Sequence, residues 1–325
     1  GYLMVYADGK TDGLYQWKSL DTSIVRVTPS EGNSSTAILT AVREGETRVL
    51  VENTVTGQIV FARVIVTDGV TYPQLTLGRD TSTALKKNGT VWAWGDNTYR
   101  EVNLEGTKET NESFGDYTGV TTGVGKLGVG SKQSLITVPV QLSYYLESPT
   151  STTLRSFQRI TKIANGDSHS LAVDFDGNVY AWGDNTYGQL GLNPTQVKNT
   201  DYPIRLDIRD ANGVKPRFIS VVAGSNHSLA LDSEGRVFAW GANQYGQLAR
   251  GEDIYSNYSY SDGPAAIREA VTKTGDYVPM AMTGFSGLPL TGVLDLAATE
   301  GATAVLLVDG SVWTVGSNQY GQLGT

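Results

Sequence analysis

The sequence predicts an all-β protein with a small N-terminal region, residues 1–69, and a larger repeat region, residues 70–325. Two observations support this fold class. Short runs rich in Val, Ile and Thr alternate with turn-forming residues, and one phrase returns along the chain with small changes. The copies read "VYAWGDNTYGQLGL" from residue 179, "VFAWGANQYGQLAR" from 237, "VWTVGSNQYGQLGT" from 312 and, less clearly, "VWAWGDNTYREVNL" from 91. A repeat decides the architecture, because each unit must bury its apolar face against a neighbour.

Composition excludes several classes of protein. The chain has 325 residues, 39% of them hydrophobic, with a formal net charge of −8 and no cysteine. Without cysteine there are no disulfides, thiolate metal sites or cysteine nucleophiles. An acidic surface repels phosphate backbones, so we expect no nucleic acid as the main partner. The apolar runs are short, so we also expect no membrane insertion.

The N-terminal region has the pattern of a small antiparallel sandwich. Its strand candidates are "SIVRVTP", "STAILTAV", "TRVLVENTV" and "IVFARVIV", separated by turn-formers such as "SEGNS" and "REGE". The strings "WKSLDTSIVRV" and "LTAVREGETRVLV" resemble bacterial immunoglobulin-like group 2 modules. The resemblance implies that Trp17 is a buried core aromatic and that Gly45 forms the turn before a core strand. An unrelated small β domain stays open as the alternative.

In the repeat region, the four copies align on the glycine after the aromatic residues: Gly95, Gly183, Gly241 and Gly316. Upstream of each, a second glycine follows Asn, Asp or Glu, as in the tight turn of a β-hairpin: Gly89, Gly177, Gly235 and Gly310. Each unit is therefore a small meander that must stack on its neighbour. Stacking around an axis gives a propeller, and stacking along a line gives a solenoid.

Two copies carry a family resemblance. "GDSHSLAVDFDGNVYAWGDNTYGQLGL" and "GSNHSLALDSEGRVFAWGANQYGQLAR" resemble repeats of the regulator of chromosome condensation family. The resemblance implies a β-propeller, usually of seven blades. We expect a partial propeller of about four blades, with Trp94, Trp182 and Trp240 buried between them. The missing blades would come from the same polypeptide or from another copy of it.

The first copy departs from the pattern. It lacks the Gly-Gln-Leu corner, and "GKLGVG" at 125–130 is the candidate for that corner, displaced by an insertion. The last copy stops at "YGQLGT", before the family's closing strand.

No catalytic residue, metal ligand set or cofactor is predicted. The only two histidines, His169 and His227, occupy one repeat position, where the other copies have Thr81 and Ala302. A metal or acid–base pair is disfavoured against a structural role in which each ring fills a niche. The "DFDGN" carboxylates, from residue 174, fit a hairpin turn better than a calcium loop, because calcium needs six or more oxygen ligands.

The candidate binding loop is "DIYSNYSYSDGP", residues 253–264. It places Tyr255, Tyr258, Tyr260 and Asp262 among Ser, Asn and Gly, a mixture that recognition loops favour because tyrosine gives large contact area at low entropy cost. A plain crossover loop is the alternative.

These features predict a non-enzymatic extracellular or cell-surface bacterial protein, in which an immunoglobulin-like spacer presents a propeller. The propeller would bind another protein or a surface glycan, or assemble with copies of itself. The alternative is a secreted inhibitor of one specific protein, similar to beta-lactamase inhibitory protein II. The founder's activity on a small nuclear GTPase, and an enzyme on this scaffold, are both disfavoured.

Overall fold

The structure is a computed structural model that describes residues 2–6, 14–30, 33–43, 45–66, 71–101, 120–145, 154–250, 264–284 and 287–324. The chain divides into two compact units, Gly1–Val70 and Thr71–Thr325.

The described residues of the first unit form six strands in two antiparallel sheets. The strands are β1 (Tyr2–Tyr6), β2 (Tyr15–Ser19), β3 (Val25–Ser30), β4 (Asn33–Ala41), β5 (Gly45–Asn53) and β6 (Ile59–Val66). One sheet has the order β1-β4-β3 and the other β2-β5-β6. Val25 and Leu39 of the first sheet share a core with Val49 of the second, and Trp17 packs against it partly buried. The two sheets therefore face each other, while the immunoglobulin-like identification stays a prediction.

Gly45 begins a strand at a place where only glycine fits well. Its φ is 152°, and a Cβ there would lie 2.8 Å from Cδ1 of the buried Ile24. The missing side chain lets Ile24 fill the core beside β5.

Four antiparallel sheets, here called sheets 1 to 4, follow one another along the second unit. Sheet 1 contains β7 (Gln74–Gly78), β8 (Thr81–Leu85), β9 (Val91–Asp96) and β12 (Leu135–Gln141). Sheet 2 contains β15 (Ile160–Asn165), β16 (His169–Asp174), β17 (Val179–Asp184) and β18 (Asn199–Arg205). Sheet 3 contains β19 (Phe218–Ala223), β20 (His227–Asp232), β21 (Val237–Gly241) and β22 (Met280–Ala281). Sheet 4 contains β23 (Val293–Ala298), β24 (Ala302–Leu307) and β25 (Val312–Gly316).

Two short hairpins complete the strands of this unit. One is β10 (Thr98–Glu101) with β11 (Val120–Val124), and the other is β13 (Ser143–Tyr145) with β14 (Leu154–Ser156).

The strand register confirms the alignment of the four copies. The aligned glycines pair with the four residues of one repeat position: Gly95 with Thr81, Gly183 with His169, Gly241 with His227 and Gly316 with Ala302. The hairpin glycines have the positive φ that their turn requires: 78° at Gly89, 84° at Gly177, 75° at Gly235 and 84° at Gly310.

Consecutive sheets pack face to face. Each of three apolar clusters takes residues from two neighbouring sheets; in one, Leu171 of sheet 2 packs with Phe238 of sheet 3. Trp182 and Trp240 are 0% exposed in these clusters, which confirms their predicted position, and Trp94 is partly buried. Burial of this kind, at roughly 25 cal/mol per Å² of apolar surface, is what holds the repeats together.

One helix was not predicted. Helix α1 (Pro264–Thr274) lies in the connection between β21 and β22. It has Pro264 at its first position and Gly275, with φ 73°, directly after its end, as helix boundaries favour. Its Val271 is fully buried beside Tyr187 of the neighbouring sheet's connection. In the part of the chain described above, no helix is long and apolar enough to cross a membrane.

Candidate functional site: the corner end of the sheets

Two kinds of connection meet at the same end of every sheet. One is the inner turn between the first two strands, and the other is the corner after the third strand. In each copy a backbone N–H at the start of the corner donates to a carbonyl of the inner turn: Asp96 to Asp80 at 2.8 Å, Asp184 to Ser168 at 2.9 Å, Ala242 to Asn226 at 2.9 Å and Ser317 to Gly301 at 2.8 Å. We call this the corner end, and we call the opposite end, which carries the Gly89, Gly177, Gly235 and Gly310 turns, the hairpin end.

Each of the four corners is built on its own asparagine, at the same repeat position. Its side-chain oxygen accepts the backbone N–H of a leucine further along the corner: Asn97 from Leu127 at 3.0 Å, Asn185 from Leu190 at 3.0 Å, Asn243 from Leu248 at 3.1 Å and Asn318 from Leu323 at 3.0 Å. The pairing at Leu127 confirms that "GKLGVG" is the displaced corner of the first copy. The residues inserted between Asn97 and this corner include β10 and β11.

The inner turns approach one another so closely that only glycine fits. A Cβ on Gly78 would lie 2.5 Å from the carbonyl oxygen of Gly166. A Cβ on Gly166 would lie 2.3 Å from that of Gly224, and one on Gly224 would lie 2.5 Å from that of Thr299. The glycine before each histidine in the repeat pattern therefore sets the spacing between neighbouring sheets.

A pocket of about 470 Å³ lies among these inner turns, and we call it the inner pocket. Arg79, Asp167, Ser225 and Glu300 line it, each from a different sheet. Arg79, Asp167 and Ser225 occupy one repeat position, directly after the close-packed glycine. The pocket thus presents charges of both signs and is suited to a polar or charged side chain.

His169 belongs to a buried hydrogen-bond chain that joins sheets 2 and 3. Its Nε2 lies 3.0 Å from the Ser228 hydroxyl, which donates to the Gln189 carbonyl at 2.7 Å. Since the hydroxyl hydrogen is used there, the histidine must be the donor, so Nε2 carries a proton. Burial lowers the pKa of His169 to about 3, with a further contribution from the charge of His227. The lowered pKa keeps the ring neutral at ordinary pH.

His227 repeats the arrangement between sheets 3 and 4. Its Nε2 lies 3.0 Å from the Thr303 hydroxyl, which donates to the Gln247 carbonyl at 2.9 Å. Burial lowers the pKa of His227 to about 4. Both rings are fully buried links between sheets, in agreement with the structural role assigned to them from the sequence.

The "DFDGN" carboxylates form a hairpin turn. Oδ1 of Asp174 accepts the backbone N–H groups of Asp176 at 3.0 Å and Asn178 at 2.8 Å. Oδ2 accepts from the Asn178 amide at 2.8 Å and from the Tyr180 hydroxyl at 3.1 Å. Across the described ranges, no group of three or more His, Cys, Asp or Glu side chains is placed to hold a metal ion.

The predicted loop residues Tyr255, Tyr258, Tyr260 and Asp262 lie outside the described residues, and their role stays a prediction. The two flanks of their segment are described. Arg250, just before it, donates to the Ala239 carbonyl at 2.7 Å and forms an ion pair with Asp276 at 3.6 Å. Arg250 precedes the insertion and Asp276 lies near its other end, and their ion pair holds both beside sheet 3. The insertion therefore starts and finishes at the corner end.

Sequence reasoning missed the inner-pocket residues. A usable signal existed, because Arg79, Asp167 and Ser225 all follow a glycine at the same repeat position. Their side chains differ among these three copies while the glycine does not, and the fourth copy has Thr299 and Glu300 at the two positions. A fixed backbone with variable side chains is what a binding surface on a rigid scaffold looks like.

The fold and the site define a class of protein: a β-repeat protein whose successive antiparallel sheets pack face to face like propeller blades, with variable connections at one end. Two profiles of the regulator of chromosome condensation (RCC1) repeat match residues 176–231 and 234–305, and 74–101, 160–189 and 218–247. Together these matches cover just over half of the chain. The chain therefore belongs to the regulator of chromosome condensation repeat family.

Individual relatives agree with this assignment. The probable E3 ubiquitin-protein ligase HERC6 of Homo sapiens is 32% identical over 206 residues, which are 62% of this chain and 16% of the ligase. The ultraviolet-B receptor UVR8 of Arabidopsis thaliana is 27% identical over 259 residues, 79% of this chain and 44% of the receptor. The chain thus spans less than half the length of either relative. Human WBSCR16 has a similar fold, with a TM-score of 0.51 at 20% identity over 87% of this chain and 62% of that structure.

Proposed function

We propose that this chain is a non-enzymatic protein that binds another protein through the corner end of its sheets. One observation carries the proposal: the two long insertions, after Asn97 and after Arg250, enter at the same end as the inner pocket. Long connections on a rigid sheet scaffold are where binding residues concentrate. The hydrogen-bonded corners fix the points at which those connections leave the sheets.

The chemistry of the inner pocket supports recognition rather than catalysis. Arg79, Asp167 and Glu300 offer charges of both signs to a partner's side chain. The two histidines, the usual acid–base groups, are buried in sheet-to-sheet links and do not reach this surface.

We extend the proposal to location: the protein acts outside a bacterial cell or on its surface, with the N-terminal unit as a spacer. The absence of cysteine and the net charge of −8 support this. The partner we propose is a protein, and a surface glycan is the alternative. A tight one-to-one complex would instead support the inhibitor alternative.

The test compares two charge-reversal variants of the whole chain as baits for secreted and cell-surface proteins. Asp167→Lys with Glu300→Lys alters the inner pocket, and Glu234→Lys with Asp309→Lys, at exposed positions of the hairpin end, is the control with the same change in charge. We expect a defined set of proteins to bind the wild type and the control but not the pocket variant. Equal capture by all three baits would contradict the proposal.

Labelling of a tagged chain on intact cells tests the location.

A further inference from the structure

The hairpin turn of sheet 2 carries an aromatic residue that its fold does not require. Three copies share one backbone bond at this turn: Phe175 N–H to the Arg159 carbonyl, Ser233 N–H to Arg217, and Val308 N–H to Gly292, each at 2.8 Å. Ser233 makes the same bond as Phe175, so the backbone needs no large side chain there. Phe175 nevertheless leaves 50% of its surface exposed. A half-exposed ring at a rigid turn is typical of a contact residue.

One cationic side chain lies near this ring, and two more bind the turn that carries it. The Arg159 guanidinium carbon lies 5.3 Å from the centre of the Phe175 ring. Arg217 donates through Nη2 to the Phe175 carbonyl at 3.0 Å, and Lys215 donates to the Asn178 side-chain oxygen at 2.8 Å. The aliphatic part of the Arg217 side chain packs against the turn at Gly177. A Cβ on Gly177 would lie 2.5 Å from the Cγ of Arg217.

The backbone at Arg159 is strained in favour of this arrangement. Arg159 has φ 64°, in the left-handed region that L side chains avoid. The equivalent residue of sheet 4, Gly292, has φ 73°, which glycine adopts freely. The equivalent residue of sheet 3, Arg217, accepts the same backbone bond without a positive φ. The strained backbone at Arg159 is therefore a feature of sheet 2 rather than of the repeat, and strain of this kind is concentrated at functional sites.

The charge of this turn is opposite to that of its neighbour. Around Phe175 the three exposed cations Arg159, Lys215 and Arg217 outnumber the two carboxylates Asp174 and Asp176. Asp176 accepts from both terminal nitrogens of Arg159, at 3.1 and 3.2 Å, in a pair that is open to solvent. The Asp174 carboxylate nearby is already committed to four hydrogen bonds.

At the equivalent turn of sheet 3, a single Arg236 is surrounded by three carboxylates: Asp210, Asp232 and Glu234. Cations also lie near rings at the other turns, with Lys86 3.7 Å from the centre of the Trp92 ring and Arg236 5.9 Å from that of Phe238. The turn of sheet 2 differs from both in that its ring is half-exposed.

We propose that Phe175, Arg159, Lys215 and Arg217 form a second binding site, which takes an acidic segment of a partner protein. A partner's carboxylate can pair with Lys215 and Arg217, and with Arg159 in exchange for Asp176, because the guanidinium fork binds carboxylates through two parallel hydrogen bonds. Nucleic acid fits less well, because the chain's net charge of −8 repels a long polyanion whereas a short acidic segment meets only the local cluster. The site lies at the hairpin end and is independent of the corner end.

The experiment measures binding of a fluorescein-labelled peptide of eight Glu residues around one Tyr, beside its Gln and Lys counterparts. We expect the Glu peptide alone to bind, with an affinity that falls as salt is raised. Phe175→Ser with Arg217→Gln should weaken it at least tenfold. The matched control is Phe61→Ser with Arg63→Gln, a similarly exposed pair in the first unit, which should change nothing.

A second variant separates binding from folding. Arg159→Gly installs the residue that sheet 4 uses, so it should weaken peptide binding while the melting temperature stays the same or rises. The inner-pocket variant Asp167→Lys with Glu300→Lys should bind the peptide normally, whether or not the corner end binds proteins.

Three outcomes would overturn the proposal: equal binding of the Glu and Gln peptides, equal loss in the site and control variants, or an oligonucleotide of matched charge that binds as tightly through the same residues.

Discussion

The contact between sheets 2 and 3 and the contact between sheets 1 and 2 use the same apolar packing but different polar links. Between sheets 2 and 3, the Gln189 carbonyl accepts both the Ser228 hydroxyl at 2.7 Å and the Trp240 indole N–H at 2.9 Å, and His169 donates to Ser228.

Between sheets 1 and 2 this chain of bonds is missing. Thr81 takes the place of His169, and Lys126 takes the place of Gln189. The buried indole N–H of Trp182 has no hydrogen-bond partner among the described residues. Other hydrogen bonds join sheets 1 and 2 instead: the Asn165 amide donates to the Thr83 hydroxyl at 3.0 Å, and the Thr71 hydroxyl donates to the Thr161 carbonyl at 2.9 Å.

The difference teaches which part of the repeat is obligatory. Trp182 and Trp240 are equally buried whether or not their N–H is bonded, so apolar burial and the glycine spacing are what the two contacts share. The polar links differ between the contacts, and a buried donor that loses its partner costs about 1–3 kcal/mol.

The largest expected effect comes from truncating the two indoles. Trp240→Ala and Trp182→Ala each open a cavity in a sheet-to-sheet core, and each should lower the free energy of unfolding by about 3–5 kcal/mol. Trp240→Ala should cost about 1 kcal/mol more, because it also loses the bond to Gln189. Urea unfolding of both variants measures the difference. Equal losses would mean that the bonded and unbonded indoles contribute alike.

Acid should loosen the contacts that contain histidine and spare the one that does not. Folding lowers the pKa of His169 to about 3 and of His227 to about 4, against about 6.5 when unfolded. The unfolded chain therefore binds protons first, so this stability is fully present above pH 6.5 and is lost as the pH falls toward the folded values. From pH 7.5 to 5 the loss should be about 2 kcal/mol per histidine.

Urea midpoints from pH 7.5 to 5 check this expectation, because ordinary carboxyl groups stay mostly ionised in that range. Replacing one histidine, as in His169→Gln, should halve the pH dependence, and replacing both should nearly abolish it. An unchanged slope in the double variant would assign the acid sensitivity to other groups.

Much of the second unit was predictable because repeat units must stack. The four glycines, the hairpin turns and the buried positions of Trp182 and Trp240 all followed from aligning the copies. Helix α1 was not predictable that way, since it lies in an insertion that has no counterpart in the other copies. Its apolar face is held by Tyr187 of another connection, a tertiary contact that no local pattern reveals.

The candidate sites were harder to predict for a related reason. The inner pocket exists only when four turns, far apart in sequence, are brought together by the glycine spacing. The Phe175 cluster draws Arg159 and Arg217 from two different connections. The sequence singled out the tyrosine-rich loop because its composition is a local signal, and that interpretation stays a prediction.

Lys126 offers the smallest and most discriminating test of the comparison. It occupies the Gln189 position, where Gln189 donates to the Asp184 carboxylate at 2.9 Å. Lys126 is almost fully buried, with Nζ 3.4 Å from the Asp96 carboxylate and 3.2 Å from the Arg79 carbonyl. Burial opposes the charge on Asp96, but hydrogen bonds from Thr98 and the charge of Lys126 outweigh it and lower the pKa of Asp96.

Lys126→Gln would give the first corner the side chain that the other three use. The new amide can donate to Asp96 as Gln189 donates to Asp184, and replacing a buried ammonium removes its desolvation cost. We therefore expect the free energy of unfolding to change by less than about 1 kcal/mol. Lys126→Met leaves Asp96 and the Arg79 carbonyl without this partner and should cost about 2 kcal/mol. Urea unfolding compares the two variants. If Lys126→Gln costs as much as Lys126→Met, the ion pair is essential to the first corner, and the four corners are not interchangeable.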